Sequence, residues 1–129
     1  MEACQTRAQT PLLILTNLPD EASAEALATA LVTERLAACV NILAPCRSVY
    51  RWQGAIESAR EVPLLIKTTT ERYAALEAAI RVRHPYELPE IVAVPVTHGL
   101  PEYLAWVVTE TRAETAISTQ DMTPSERDA

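Results

Sequence analysis

The sequence predicts an α+β protein, a ferredoxin-like βαββαβ sandwich with an additional C-terminal helix. Short apolar runs of strand composition alternate with two segments of helical periodicity. The length of 129 residues is typical of one domain with a single packed core. Hydrophobic residues make up 49% and charged residues 22% of the chain, as in ordinary globular domains.

The first half of the chain predicts a strand, a helix and a second strand. Residues 11–16 (PLLILT) are an apolar run, which predicts a strand buried on both faces. Asp20 then starts a helix, because its carboxylate can accept the free amide hydrogens of the first turn. Residues 39–43 (CVNIL) return to strand composition. The apolar positions that repeat at helical spacing, and so predict the packed face of this helix, are Ala24, Leu27, Ala28 and Leu31.

The segment around Gly54 predicts a hairpin. Tyr50 and Trp52 are two residues apart in a strand, so their side chains fall on the same face, and Gly54 favours a turn after them. Residues 62–70 form a further apolar strand. Pro63 lies near its start, which is typical of an edge strand or a bulge.

The last elements complete a second βαβ unit. Residues 70–84 predict a second helix, which Pro85 ends. Residues 90–99 are a fourth apolar strand, and Pro101 begins a third helix over residues 101–113. The order is therefore β-α-β, β-α-β and a final helix, which is the order of a ferredoxin-like fold.

This architecture predicts an oligomer. Helices cover one face of the antiparallel sheet, so the other face and the sheet edges are expected to be bare in a single chain, although the strands are strongly apolar. We expect the sheets of several copies to meet. The predicted organisation is a flexible leader over residues 1–10, the folded domain over residues 11–112, and a disordered acidic tail over residues 113–129.

Composition excludes several function classes. A net charge of −6 argues against nucleic acid as a partner, and no apolar run is long enough for a membrane helix. Two glycines leave no nucleotide loop, and no nucleophile–base pair is visible, so we predict neither an enzyme nor an organic cofactor. The first ten residues lack the apolar stretch of a secretory signal, and Cys4, Cys39 and Cys46 read as reduced thiols. A cytoplasmic location is expected.

Several candidate binding residues belong to residue types that are rare in this chain. Lys67 is the single lysine and ends an apolar strand before Thr68, so an ammonium and a hydroxyl there could hold an anionic ligand. The alternative is a solvated strand end. Tyr50 and Trp52 could line a pocket, although aromatic residues at strand spacing more often serve in a core or an interface.

His84 has two interpretations. It stands at a helix end before a proline, which favours an imidazolium that interacts with the helix dipole. A metal ligand is the other interpretation, but the nearest second histidine is His98 and no Cys or Asp stands within a few residues. Glu57 and Glu61 are expected to be solvated charges of the hairpin.

Several motifs in one order make the chain resemble the CutA family, the divalent-cation tolerance proteins, over about residues 12–110. The motifs are LTNLPDEASAEALA, LAACVNIL, SVYRWQGAIE, LLIKTT, RHPYELPEIVAVPVTHG and YLAW. The most specific parts are Tyr50-x-Trp52-x-Gly54, Lys67-Thr68 and His84-Pro85-Tyr86-x-x-Pro89-Glu90.

The resemblance implies a compact homotrimer of ferredoxin-like subunits, similar in architecture to the PII signalling proteins. It also implies a role in the response to and tolerance of divalent metal ions. In such trimers, clefts form between subunits. The residues expected to line one here are Tyr50, Trp52, Lys67, Thr68, Tyr86 and Glu90. The alternative function is a PII-like module that binds an anionic small molecule in this cleft.

The copper site proposed for the family uses a cysteine at the end of the first strand and a His-His pair before Pro-Tyr. Those positions hold Thr16, Arg83 and His84 in this chain. Threonine and arginine cannot replace a thiolate and an imidazole for a soft metal. The expectation is therefore weak binding of copper or another divalent ion, with His84 as the remaining candidate ligand.

Overall fold

The computed structural model describes residues 9–113, which contain five strands and three helices. In chain order they are β1 (Pro11–Leu18), α1 (Glu21–Thr33), β2 (Cys39–Ile42), β3 (Cys46–Trp52), β4 (Ala55–Thr69), α2 (Tyr73–Arg83), β5 (Val92–Pro95) and α3 (Pro101–Glu110). Residues 1–8 of the predicted leader and residues 114–129 of the predicted tail lie outside the described residues. None of these three helices is long and apolar enough to cross a membrane.

The sheet confirms the predicted α+β fold. Its strand order is β2-β4-β1-β5, with every pair antiparallel, and β3 pairs with β4 beyond the end of β2. β1 pairs with β4 along its whole length, from Pro11 opposite Thr69 to Leu18 opposite Val62. β5 is an edge strand, which is where a proline such as Pro95 can be accommodated.

β4 differs from the prediction because the second arm of the hairpin and the following apolar strand are one strand of 15 residues. Pro63 therefore lies inside it, where the neighbour changes: the β3 pairing ends at Glu61 and the β2 pairing begins at Leu64. The Pro63 carbonyl accepts from the Leu43 amide at 2.9 Å, so the proline nitrogen, which has no hydrogen, points to the same side. A missing donor is tolerated at this change of partner.

The core lies between the sheet and the two helices α1 and α2. Burial alternates along β1: Leu12, Ile14, Thr16 and Leu18 are buried and the odd-numbered residues are half-buried, so β1 is fully covered on one face only. Asp20 caps α1 as predicted, because its carboxylate accepts from the Ser23 amide at 2.7 Å. That hydrogen bond lowers the pKa of the Asp20 carboxyl. All four predicted inward positions of α1 are buried, namely Ala24, Leu27, Ala28 and Leu31.

α3 covers part of the sheet face that we expected to be bare. Tyr103 and Val107 of α3 line an apolar groove of about 380 Å³ together with Leu13 and Lys67, whose side chains lie on the face opposite the core. Arg35 holds the end of the helix by donating to the carbonyl of Glu110 at 3.1 Å. The prediction of a bare second face is thus correct only in part.

The other end of that face remains exposed. Val92 and Val94 on the edge strand β5 are 46% and 44% exposed. They pair with Leu15 and Leu13 of β1, which are half-buried on the same face. A stripe of four aliphatic side chains therefore remains next to a strand edge that no other strand within residues 9–113 pairs with, the arrangement that favours association.

Candidate functional site

A cleft of about 780 Å³ opens between the β3–β4 hairpin and the segment that follows α2. We call it the hairpin cleft. Its lining combines aromatic rings with carboxylates and comprises Asn17, Ser48, Val49, Tyr50, Arg51, Trp52, Ala59, Glu61, Pro85, Tyr86, Glu87, Leu88 and Glu90.

The hairpin supplies one wall of the cleft through strand alternation. Tyr50 pairs with Glu57 and Trp52 with Ala55, so the side chains of Tyr50 and Trp52 leave the hairpin on the same face as that of Glu61. The turn is formed by Gln53 (φ 51°) and Gly54 (φ 83°), both in the left-handed region. Positive φ at both central residues is typical of the type I′ turn of two-residue hairpins. Glycine adopts this conformation without steric cost.

The segment after α2 supplies the other wall and is anchored by His84. The amide of His84 donates to the carbonyl of Ile80 at 2.8 Å, which closes the helix. The Nδ1 atom accepts from the Tyr86 amide at 3.2 Å, and Nε2 lies 2.7 Å from the Asn17 carbonyl oxygen. Since an amide can only donate and a carbonyl only accept, Nε2 carries the hydrogen and the ring is neutral.

The neutral ring corrects the imidazolium interpretation of His84. Burial lowers the pKa of the imidazole, and the Asn17 carbonyl and the Glu61 carboxylate offset this only in part. Both ring nitrogens have protein partners, so a metal at His84 would have to displace one of them. The predicted metal contact of His84 stays a prediction.

The two other positions of the proposed copper site do not join His84 in a ligand set. Thr16 is fully buried, and its hydroxyl has no hydrogen-bond partner in the part of the chain that the structure describes. Arg83 points to the surface and forms an ion pair with Glu34 at 2.9 Å. No group of three or more His, Cys, Asp or Glu side chains is placed to hold a metal within residues 9–113.

Glu61 and Tyr86 form the centre of the cleft. Glu61 is 8% exposed, which corrects the expectation of a solvated charge, whereas Glu57 is exposed as expected. Burial, together with a hydrogen bond to the Glu61 carboxylate, raises the pKa of Tyr86 to about 12. The Tyr86 phenol therefore keeps its proton beside the Glu61 carboxylate. Its ring lies 4.8 Å from the ring of His84.

Within one subunit, four of the six predicted cleft residues come together. Tyr50, Trp52, Tyr86 and Glu90 line the hairpin cleft, and Glu90 accepts from the side-chain amide of Asn17 at 3.0 Å. Glu61 was not among the residues predicted to line a cleft. Strand alternation could have identified it. Glu61 is four residues from Glu57, which pairs with Tyr50, so its side chain falls on the same face as those of Tyr50 and Trp52.

Lys67 and Thr68 lie outside the hairpin cleft of one subunit, so their place in a cleft between subunits stays a prediction. The Lys67 ammonium contacts the side chain of Asn41 and lies 3.9 Å from the sulfur of Cys39, on the sheet face near α3. Thr68 is fully buried in the core, where its hydroxyl donates to the Leu36 carbonyl at 2.7 Å. Thr68 therefore has a structural role.

We expect the neutral state of His84 to make the fold sensitive to acid. A histidine whose pKa is lower in the folded state than in the unfolded state takes up its proton more readily on unfolding. The free energy of unfolding is therefore not reduced by His84 above the unfolded pKa of about 6.5. It decreases as the pH falls below that value. In His84→Gln, whose amide can still donate to Asn17, the loss of melting temperature between pH 7 and pH 5 should be smaller than in the wild type. An equal loss in both proteins would show that His84 does not contribute.

Comparison with known proteins gives one consistent result. A family model described as CutA1 divalent ion tolerance protein matches residues 12–110. The divalent-cation tolerance protein CutA of Thermus thermophilus is 47% identical over 95 residues, which are 74% of this chain and 92% of that protein. The protein of the same name from Escherichia coli O45:K1 is 40% identical over 98 residues, 76% of this chain and 88% of the relative.

Solved structures agree with this match. The crystal structure of CutA from Xylella fastidiosa superposes with a TM-score of 0.78 at 48% identity, covering 80% of this chain and 99% of that one. CutA1 from Oryza sativa gives a TM-score of 0.77 at 34% identity, covering 81% and 97%. The similarity includes both walls of the hairpin cleft, because the matched family model spans β3, β4 and the segment after α2.

Proposed function

Since this chain belongs to the CutA1 divalent ion tolerance family, we propose that it acts as a homotrimer in the cytoplasmic response to divalent metal ions. The observation that carries the proposal is the extent of the family match, residues 12–110, which takes in nearly all of the described chain. The family name describes tolerance rather than a reaction, which supports a role other than catalysis.

The exposed sheet face supports self-association. Leu13, Leu15, Val92 and Val94 form an aliphatic stripe beside the unpaired edge of β5, and a second copy can cover both at once. Apolar strands that meet in this way remove surface from water, the main driving force of permanent assemblies. Three copies is the number that the resemblance to PII-like proteins implies.

We propose that metal contact by one subunit is weak. His84 already uses both ring nitrogens, Thr16 offers a hydroxyl in place of a thiolate, and Arg83 brings a positive charge. In an isothermal titration with Cu²⁺, His84→Ala should take up less copper than the wild type if the imidazole exchanges a hydrogen bond for the metal. Equal uptake by the two proteins would remove His84 from the proposal.

The alternative function, a module for an anionic small molecule, finds little support within a subunit. The cleft carries three carboxylates, those of Glu61, Glu87 and Glu90, against the guanidinium of Arg51. The ammonium of Lys67, on which the alternative depended, lies on a different surface.

Growth under metal stress tests the proposed function. The chain is expressed in a bacterial strain that lacks its own CutA relative, and growth is measured against rising concentrations of Cu²⁺ and Zn²⁺. We expect wild type to restore tolerance and Val92→Asp, designed to prevent assembly, to fail. Val82→Asp, a surface change on α2 at a side chain that is 85% exposed, is the matched control and should behave as wild type. A wild-type chain that restores nothing would contradict the role in tolerance.

A further inference from the structure

We propose that the hairpin cleft binds a small organic cation, an ammonium or guanidinium group on an apolar body, with Glu61 as its counter-ion. The proposal concerns the cleft of a single subunit and goes beyond metal tolerance. It depends on three observations: a buried carboxylate that makes no ion pair within residues 9–113, three aromatic rings, and a cavity of small-molecule size.

Glu61 is the first observation. It is more than nine-tenths buried and lines the cleft, yet it makes no ion pair with any residue in the part of the chain that the structure describes. The Tyr86 phenol lies close enough to the Glu61 carboxylate for the two groups to interact, and a carboxylate can accept about four hydrogen bonds. A buried carboxylate is costly unless it is paired, so a cation that enters the cleft gains both an ion pair and hydrogen bonds.

The aromatic rings are the second observation. Tyr50 and Trp52 leave the hairpin on the same face as Glu61, and Tyr86 lies on the opposite wall. The faces of Tyr and Trp rings attract cations, most strongly when the site is shielded from water. Rings combined with carboxylates are the pattern that recognises alkylated ammonium groups.

Size and ligand geometry favour an organic cation over a metal ion. A volume of about 780 Å³ lies within the range of pockets for small organic ligands. A hard divalent ion needs about six oxygen ligands at close range. Within residues 9–113 no three His, Cys, Asp or Glu side chains converge to hold such an ion, and Glu90 is already bonded to Asn17.

Intrinsic fluorescence tests the proposal. Trp52 and Trp106 are the two tryptophans of the chain, and Trp106 lies on α3 outside the cleft. In full-length Trp106→Phe, the emission therefore reports on Trp52. Choline chloride, titrated at constant ionic strength, should change it saturably. The uncharged isostere 3,3-dimethyl-1-butanol and the anion propionate should not.

Variants identify the counter-ion. By isothermal titration calorimetry, Glu61→Gln should weaken choline binding at least tenfold, whereas Glu57→Gln, the same change at an exposed position of the same strand, should stay within twofold. Trp52→Leu alters an exposed ring of the hairpin and should also weaken binding. This second variant keeps the test valid if Glu61→Gln perturbs the fold.

Equal binding of the alcohol, no saturation with choline, or equal effects of the two glutamate changes would each overturn the proposal. These readouts need no metal, so they are independent of the test of tolerance.

Discussion

Val92→Asp is expected to lower the mass of the protein in solution from about three times the 14.2 kDa of one chain to that of a single chain. Val92 is 46% exposed on the edge strand β5 and pairs with Leu15 on the uncovered sheet face. In an isolated chain a carboxylate here stays in water and costs the fold little. Between sheets that meet, it is buried without a partner, at a cost of several kcal/mol.

Sedimentation equilibrium at micromolar concentration measures the effect. Val82→Asp carries the same substitution on the outer surface of α2 and should keep the wild-type mass. Circular dichroism should show both variants folded. A wild-type protein that is folded and has the mass of one chain would refute the assembly itself, and a Val92→Asp protein with the wild-type mass would place the interface elsewhere.

The second large effect is expected at Leu64. Its side chain is completely buried at the centre of the sheet, opposite Thr16 on one side and Ile42 on the other. Leu64→Ala leaves a cavity in the core and should lower the free energy of unfolding by about 2–5 kcal/mol. Leu88→Ala, at a side chain that is 71% exposed, should change it by less than about 0.5 kcal/mol.

Urea denaturation measures both changes, with all proteins at one concentration because the proposed assembly would contribute to apparent stability. Similar midpoints for Leu64→Ala and Leu88→Ala would show that the core described for α1, α2 and the sheet does not dominate the stability of the protein.

Local patterns in the sequence were sufficient for the elements that depend on local interactions. The inward face of α1 follows from helical spacing, and its start follows from the short side chain of Asp20. Strand alternation was equally sufficient to place Tyr50 and Trp52 on the same side of the hairpin. Each of these features is determined by residues within about one turn or one strand of each other.

Long-range contacts explain what the sequence did not reveal. Glu61 is buried because the segment after α2 folds back over the hairpin, a contact that no local pattern near Glu61 encodes. Within one subunit, Lys67 lies six residues beyond Glu61 on the same strand, near α3 and away from the aromatic residues of the hairpin cleft. The position of α3 on the second sheet face likewise depends on tertiary packing.

The continuity of β4 has a consequence for how the cleft can move. Glu61 and Leu64 belong to one uninterrupted strand, so the floor of the cleft is built on the same backbone as the centre of the core. Opening of this floor is therefore coupled to the core, and the amides near Glu61 should exchange with deuterium more slowly than those at the exposed tip of the hairpin. An occupant of the cleft would then slow exchange in the buried half of the strand, including amides far from any contact with it.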